Sequence, residues 1–206
     1  MLRERQGGAP ASAGVRFFGR VILGGWLLVT SVGGATLLGR HLIPLPATAA
    51  AGPNMTALLA LRGPDEVGQL TAYHVLYAEC RCSQRIAEHL VMRARPKGVA
   101  EHVLVVGRED ALTRKLEASG YRVHQVAPAD LLPAYGVEAA PLFVVASRTG
   151  ALLYAGGYTA RKQGFDVQDA TILRAALASR TTEPLPVYGC AVSERLAKSL
   201  NPVSLP

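Results

Sequence analysis

Two of the three cysteines in this 206-residue chain stand one residue apart, as Cys80-Arg81-Cys82. An apolar run, Ala72 to Ala78, precedes them and a helical pattern follows. A thiol pair on a strand-to-helix turn can exchange electrons with another dithiol or hold a soft metal. The thiolate is the attacking species, and the free N–H groups of a helix N-terminus favour it. Arg81 acts in the same direction and Glu79 opposes it. Cys80, toward the solvent-facing end of the turn, is expected to be the more activated thiol. A disulfide between residues two apart is tight, and strain makes such a bond easier to reduce. A Cys80–Cys82 couple would therefore suit an isomerase or an oxidant.

Metal binding is the rival chemistry. Two soft thiolates at Cys80 and Cys82 select Cu(I), with His74 before them and His89 after them as weaker candidate ligands. No Cys-x-x-Cys pair, HxxxH or carboxylate cluster supports zinc, so the expectation is no resident cofactor, with Cu(I) as the alternative. The third thiol lies in Pro186-Val187-Tyr188-Gly189-Cys190. Four readings stand open for Cys190: a resolving thiol, a third metal ligand, an intermolecular partner, or an inert buried residue.

The surrounding pattern must position these groups. Ala72–Ala78 reads as a buried strand and Ser83–Ala94 as a helix with Ile86, Ala87, Leu90 and Val91 on one stripe. His102–Gly107 is a β-branched run, hence a strand. Glu109–Ser119 is amphipathic and stops at Gly120. Tyr121–Ala127 is a third strand, and Pro128–Tyr135 a short helical or irregular turn. Leu142–Ala146 and Ala151–Ala155 form a hairpin across Ser147–Gly150. Val167–Ser179 is a closing helix. Alternating strands and helices argue a parallel sheet with crossovers, and the late hairpin adds an antiparallel pair.

These residues resemble the thioredoxin superfamily. The resemblance rests on cysteines at a strand end, on Tyr135-Gly136-Val137-Glu138-Ala139-Ala140-Pro141 followed by a strand, and on the hairpin, Gly156-Gly157 and closing helix. It covers about residues 70–180. The extra strand-helix unit before Pro141 is similar to the membrane-tethered TlpA/ResA branch, and Cys-x-Cys-Ser with the later Val-Tyr-Gly-Cys is similar to the RedB-type group. The resemblance implies an α/β, thioredoxin-like mixed sheet flanked by helices. It also implies a cis Pro141 facing the cysteines, Ala140 offering its backbone to a partner strand, and protein thiols or disulfides as substrates. The chain departs from the family's Trp-Cys-x-x-Cys by one residue of spacing and by the missing Trp, so either Cys80 or Cys82 could take the nucleophile's place. A catalytically inactive thioredoxin-like binding module is a further reading.

Val21–Gly39 holds no charged residue and is bracketed by Arg20 and Arg40. About 20 such residues span a hydrocarbon core. Arg3, Arg5, Arg16 and Arg20 against Glu4 bias the N-terminus to the cytoplasm. The expected organisation is a cytoplasmic segment over 1–16, one transmembrane helix over 17–40, a linker over 41–70, a thioredoxin-like domain over 71–181 and a C-terminal extension over 182–206 carrying Cys190. That makes a single-pass inner-membrane protein with its domain outside the cytoplasm, in the periplasm. A signal peptide cut near Ala47-Thr48-Ala49 or Ala49-Ala50-Ala51, or a buried core helix, are the alternatives. The net charge of +7 is spread along the chain with few aromatics interleaved. It makes no footprint for nucleic acid, and no nucleic-acid partner is expected.

Overall fold

The computed structural model describes residues 13–42, 44–46, 48–162 and 164–200. The N-terminal segment expected over 1–16 lies outside the described residues as far as residue 12, as does the C-terminal extension from 201. The chain divides into two units, Met1–Ile43 and Pro44–Pro206. The first holds helix α1 (Ala13–Leu42). Within it Phe17–Thr36 is 20 residues long with a mean hydropathy of 1.4, long and apolar enough to cross a membrane. Its hydroxyls fold back on the helix: Thr30 Oγ1 donates to the Trp26 carbonyl at 2.9 Å, and Thr36 Oγ1 to that of Val32. Both hydroxyls are thus satisfied within the helix.

The second unit is built on a five-stranded sheet. Its strands are β1 (Leu70–Tyr77), β2 (Val99–Val106), β3 (Arg122–Val126), β5 (Leu142–Ala146) and β6 (Leu152–Gly156), in the order β3-β2-β1-β5-β6. β1, β2 and β3 run parallel; β5 is antiparallel to β1 and β6 to β5. β4 (Ala139–Ala140) lies apart and pairs with β7 (Cys190–Ala191).

Helices cover both faces, which is why β2 and β5 are buried on every residue, and β1 on all but Tyr77, rather than on alternate ones. On one face α3 (Arg81–Met92), α4 (Asp110–Ala118) and α6 (Asp169–Leu177) contribute Ile86, Leu90, Leu116, Ile172 and Leu173. They pack on Leu76, Val103, Val105 and Phe143. On the other face α2 (Met55–Leu59), α5 (Pro128–Tyr135) and α7 (Glu194–Leu200) contribute Leu58, Leu131 and Leu196 against Tyr73, Val75, Leu104 and Val144. The segment expected as linker over 41–70 thus carries α2 and a short 3-10 turn (Pro64–Glu66), and Leu58 is fully buried. The segment after residue 182 likewise folds into β7 and α7 with Val187 and Leu196 in the core.

β2 begins three residues earlier than its apolar run, because Glu101 is buried within it. Its carboxylate accepts from His74 Nε2 at 3.3 Å, from Arg95 Nε at 3.1 Å and from Arg93. Burial alone would raise this carboxyl; the hydrogen bond and charge of His74, with those of Arg93, bring it down to about 2. On the opposite face His102 Nε2 donates to Glu66 Oε2 at 2.9 Å, and His124 Nε2 donates to His102 Nδ1 at 2.9 Å. Arg122 pairs with both Glu66 and Asp65, and the Tyr73 ring stacks on His102.

Burial pushes His102 down to about 4 despite Glu66, and lowers His124 as well. An unfolded histidine takes its proton near pH ~6.5. Between that pH and about 4 the unfolded state binds more protons than the folded one, so stability falls as pH drops through this window. The melting temperature is expected to be flat above pH ~6.5 and to decline from there toward pH 4. A melting temperature constant down to pH 4 would contradict the neutral, buried assignment of His102.

Candidate active site

β1 ends at Tyr77, and three residues later the chain enters α3 with Cys80 as its N-cap, in extended backbone (φ −100°, ψ 115°). Short hydrogen bonds fix this corner. Tyr77 N donates to Ser83 Oγ at 3.0 Å, Cys80 N to the Tyr77 carbonyl at 3.0 Å and Gln84 Nε2 to the Ala78 carbonyl at 3.0 Å. Glu79 accepts from the Tyr77 hydroxyl at 2.8 Å, which raises that phenol.

Opposite the corner, α5 closes on Gly136 in the left-handed conformation (φ 67°), and β4 leads into a cis Ala140–Pro141 peptide. Cys80 Sγ lies 3.8 Å from the Ala140 carbonyl oxygen. A Cys N-cap on the helix after β1 now faces a cis proline before β5, in a mixed sheet of order β3-β2-β1-β5-β6. The fold is thioredoxin-like.

The sulfur of Cys80 is not paired within the Cys-Arg-Cys turn. It is bonded to Cys190, 110 residues away, with a Cα–Cα distance of 6.0 Å, and Cys82 is a free thiol. The Cys80–Cys82 disulfide expected from the spacing is therefore not formed, and no tight ring closes within Cys-Arg-Cys. The reason is local geometry: the extended cap turns Cys80 inward, where it is 0% exposed. Cys82, inside the first helical turn, is half-buried and lines a cleft with Arg85, Ile86, Pro141, Tyr158, Thr159 and Tyr188. Cys80 is therefore the buried cysteine of the pair, not the solvent-facing one.

Cys190 arrives on β7, whose residues pair with β4 as Ala140↔Cys190 and Ala139↔Ala191. The backbone edge of Ala140, which the family resemblance assigns to a partner strand, is occupied by this chain's own C-terminal segment. Two glycines allow the approach. A Cβ on Gly189 would stand 2.6 Å from Pro141 Cδ and overlap the Ala140 carbonyl; one on Gly157 would stand 2.8 Å from the Pro186 carbonyl carbon. Gly157 N donates to the Leu185 carbonyl at 2.8 Å, guiding the segment along the end of β6 toward Pro141. Beyond β7, Val192 N donates to the Glu138 carbonyl at 2.7 Å, and the buried Glu138 carboxylate accepts from Ser193 Oγ at 2.8 Å and from Arg195.

Behind the cleft the Tyr158 hydroxyl meets His74 Nδ1 at 2.9 Å. His74 Nε2 faces the Glu101 carboxylate and donates to it. Burial raises the Tyr158 phenol well above its ordinary value. Arg93 joins Glu101 to Asp169, which also accepts from His89 Nε2 at 3.0 Å. Both histidines weighed as metal ligands are thus engaged by carboxylates. Among the described residues no group of three or more His, Cys, Asp or Glu could hold a metal ion. While Cys80 is in the disulfide it offers no thiolate to copper. Gly189, Tyr158 and Glu101 escaped the sequence reading; the Val-Tyr-Gly-Cys run was the one signal for the first of them.

No protein-family model matches the sequence, and no curated protein does. Similar solved structures include a hypothetical protein from Sinorhizobium meliloti 1021, at 20% identity over 74% of this chain and 91% of that one, TM-score 0.49. An uncharacterized conserved protein from Geobacillus kaustophilus is similar at 18% identity over 72% and 92%, TM-score 0.48. A secreted Mycobacterium tuberculosis disulfide oxidoreductase homologous to E. coli DsbE is similar at 18% identity over 68% and 98%, TM-score 0.40.

Proposed function

We propose that this chain is a membrane-anchored thiol-disulfide oxidoreductase of the TlpA/ResA-like branch, facing the periplasm and acting on protein thiols. The observation that carries the reading is the disulfide between the N-cap of α3 and the strand lying on the cis-Pro141 loop. A dithiol partner and the Cys80–Cys190 disulfide exchange two electrons: the partner leaves as a disulfide, and Cys80 and Cys190 leave as thiols with two protons. The helix N-terminus and Arg81 favour thiolate at Cys80. Pro141 closes the site beside the sulfur, and Ala140's backbone holds the Cys190 strand against it. Cys82 is the third thiol of the site, open to a partner in both redox states. The apolar Phe17–Thr36 helix preceded by arginines supports single-pass anchoring with the domain outside the cytoplasm.

The test is exchange with a reducible protein substrate such as insulin, using the full chain in detergent. Wild type is expected to turn over, and Cys80→Ser to lose turnover while keeping its fold. Equal rates in the two proteins would remove the reading.

A further inference from the structure

We propose that Cys190, not a cysteine of the Cys-Arg-Cys turn, is the sulfur that an incoming thiolate attacks, and that Cys80 is the leaving group. The inference rests on the redox reading above and specifies its first step. A disulfide is opened by in-line approach to one sulfur, with the other departing. The two sulfurs are not equally open. Cys80 is fully buried, enclosed by the first turn of α3 and by the Ala140 carbonyl 3.8 Å away. Cys190 is partly exposed on a two-residue strand, two residues after Tyr188, which lines the cleft beside Cys82.

The two sulfurs are also unequal as leaving groups. Cys80 caps a 12-residue helix without a side-chain cap hydrogen bond. The disulfide sulfur accepts from none of the first-turn N–H groups, and the positive end of the helix lies beside the sulfur that would take up negative charge on departure. Cys190 has no helix N-terminus at its sulfur; α7 begins at Glu194, beyond the turn at Ser193. The lower-pKa thiol departs faster. Access and departure thus select the same direction.

The occupied edge of β4 adds a third reason. A partner strand cannot lie on Ala140 while Cys190 pairs with it. A partner that reached Cys80 directly would have to displace β7 first; one that attacks Cys190 need not. In the step, the partner thiolate bonds to Cys190 Sγ, the Cys80–Cys190 bond breaks, and its electron pair goes to Cys80 Sγ. A second partner thiolate then attacks the partner sulfur of the mixed disulfide, releasing Cys190 as thiolate, which takes a proton from water. Once protonated, Cys80 can donate to the Ala140 carbonyl.

The experiment uses the oxidised full chain in detergent, as wild type and as Cys82→Ser so that the third thiol cannot reshuffle the product. Glutathione is added for a short interval. Acid quench, N-ethylmaleimide labelling and peptide mapping then show which cysteine carries glutathione. Glutathione on Cys190 with maleimide on Cys80, at least about tenfold over the reverse arrangement, is the expected result. Glutathione on Cys80, or an even split, overturns the inference while leaving the redox couple standing. A Cys80–Cys190 bond untouched by excess glutathione removes the redox reading and this inference with it.

Discussion

Cys190→Ser is expected to lower the stability of the folded unit by about 4–5 kcal/mol, the amount that chain entropy assigns to opening a loop of roughly 100 residues. For a unit of this size that is a fall of roughly 10–15 °C in melting temperature. The bond joins residues 110 apart, so in the unfolded chain it removes a large share of the accessible conformations. Cys82→Ser breaks no bond and is expected to cost less than about 1 kcal/mol. Thermal melts of the two variants, with and without reductant, check this. Reductant should lower wild type to the level of Cys190→Ser and leave that variant unchanged. If both variants melt alike, the bond has been assigned to the wrong pair. The same linkage pulls the couple toward reducing potentials, because whatever the bond adds to the fold, the fold adds to the bond. A tight ring within Cys-Arg-Cys would have done the opposite.

Arg93→Met is expected to cost about 3–5 kcal/mol at neutral pH, the range found when one partner of a buried ion pair is removed. Arg93 is 9% exposed and lies between two carboxylates with no exposure, Glu101 and Asp169. Methionine keeps much of the apolar stem but leaves both anions with histidines and Arg95 alone. Arg122→Met supplies the contrast. Arg122 also contacts two carboxylates, but at 44% exposure, where water and salt screen the pair. Its loss is expected to cost far less than the loss of Arg93. Chemical denaturation of the two variants measures the difference directly. An Arg93→Met protein within about 1 kcal/mol of wild type would mean the buried carboxylates are neutral or solvated.

These two sites also mark where sequence reading reached and where it stopped. The strand-helix alternation from residue 70 to 135, the stop at Gly120 and the proline after Tyr-Gly-Val-Glu-Ala-Ala were legible because each is a local signal: a period, a left-handed turn, a restricted backbone. The start of β2 was not. Val99–Glu101 carries a charge that pattern alone treats as a loop residue, and it takes His74 on β1 with Arg93 and Arg95, just past the end of α3, to make its burial tolerable. β7 was invisible for a different reason. Two residues have no periodicity, and their pairing with β4 is set by a segment 50 residues away and by Gly189's lack of a side chain. The Cys-Arg-Cys spacing invited a local bond. The extended cap conformation of Cys80, which depends on how β1 hands over to α3, sends the sulfur elsewhere.

The central claim is that the redox couple of this protein is Cys80–Cys190. It is tested most directly by equilibrating the full chain across a series of dithiol/disulfide buffers and mapping, at each potential, which cysteines alkylate. The account predicts one two-electron transition in which Cys80 and Cys190 become reactive together while Cys82 is reactive throughout. A transition shared by Cys80 and Cys82, with Cys190 alkylated at every potential, would contradict it.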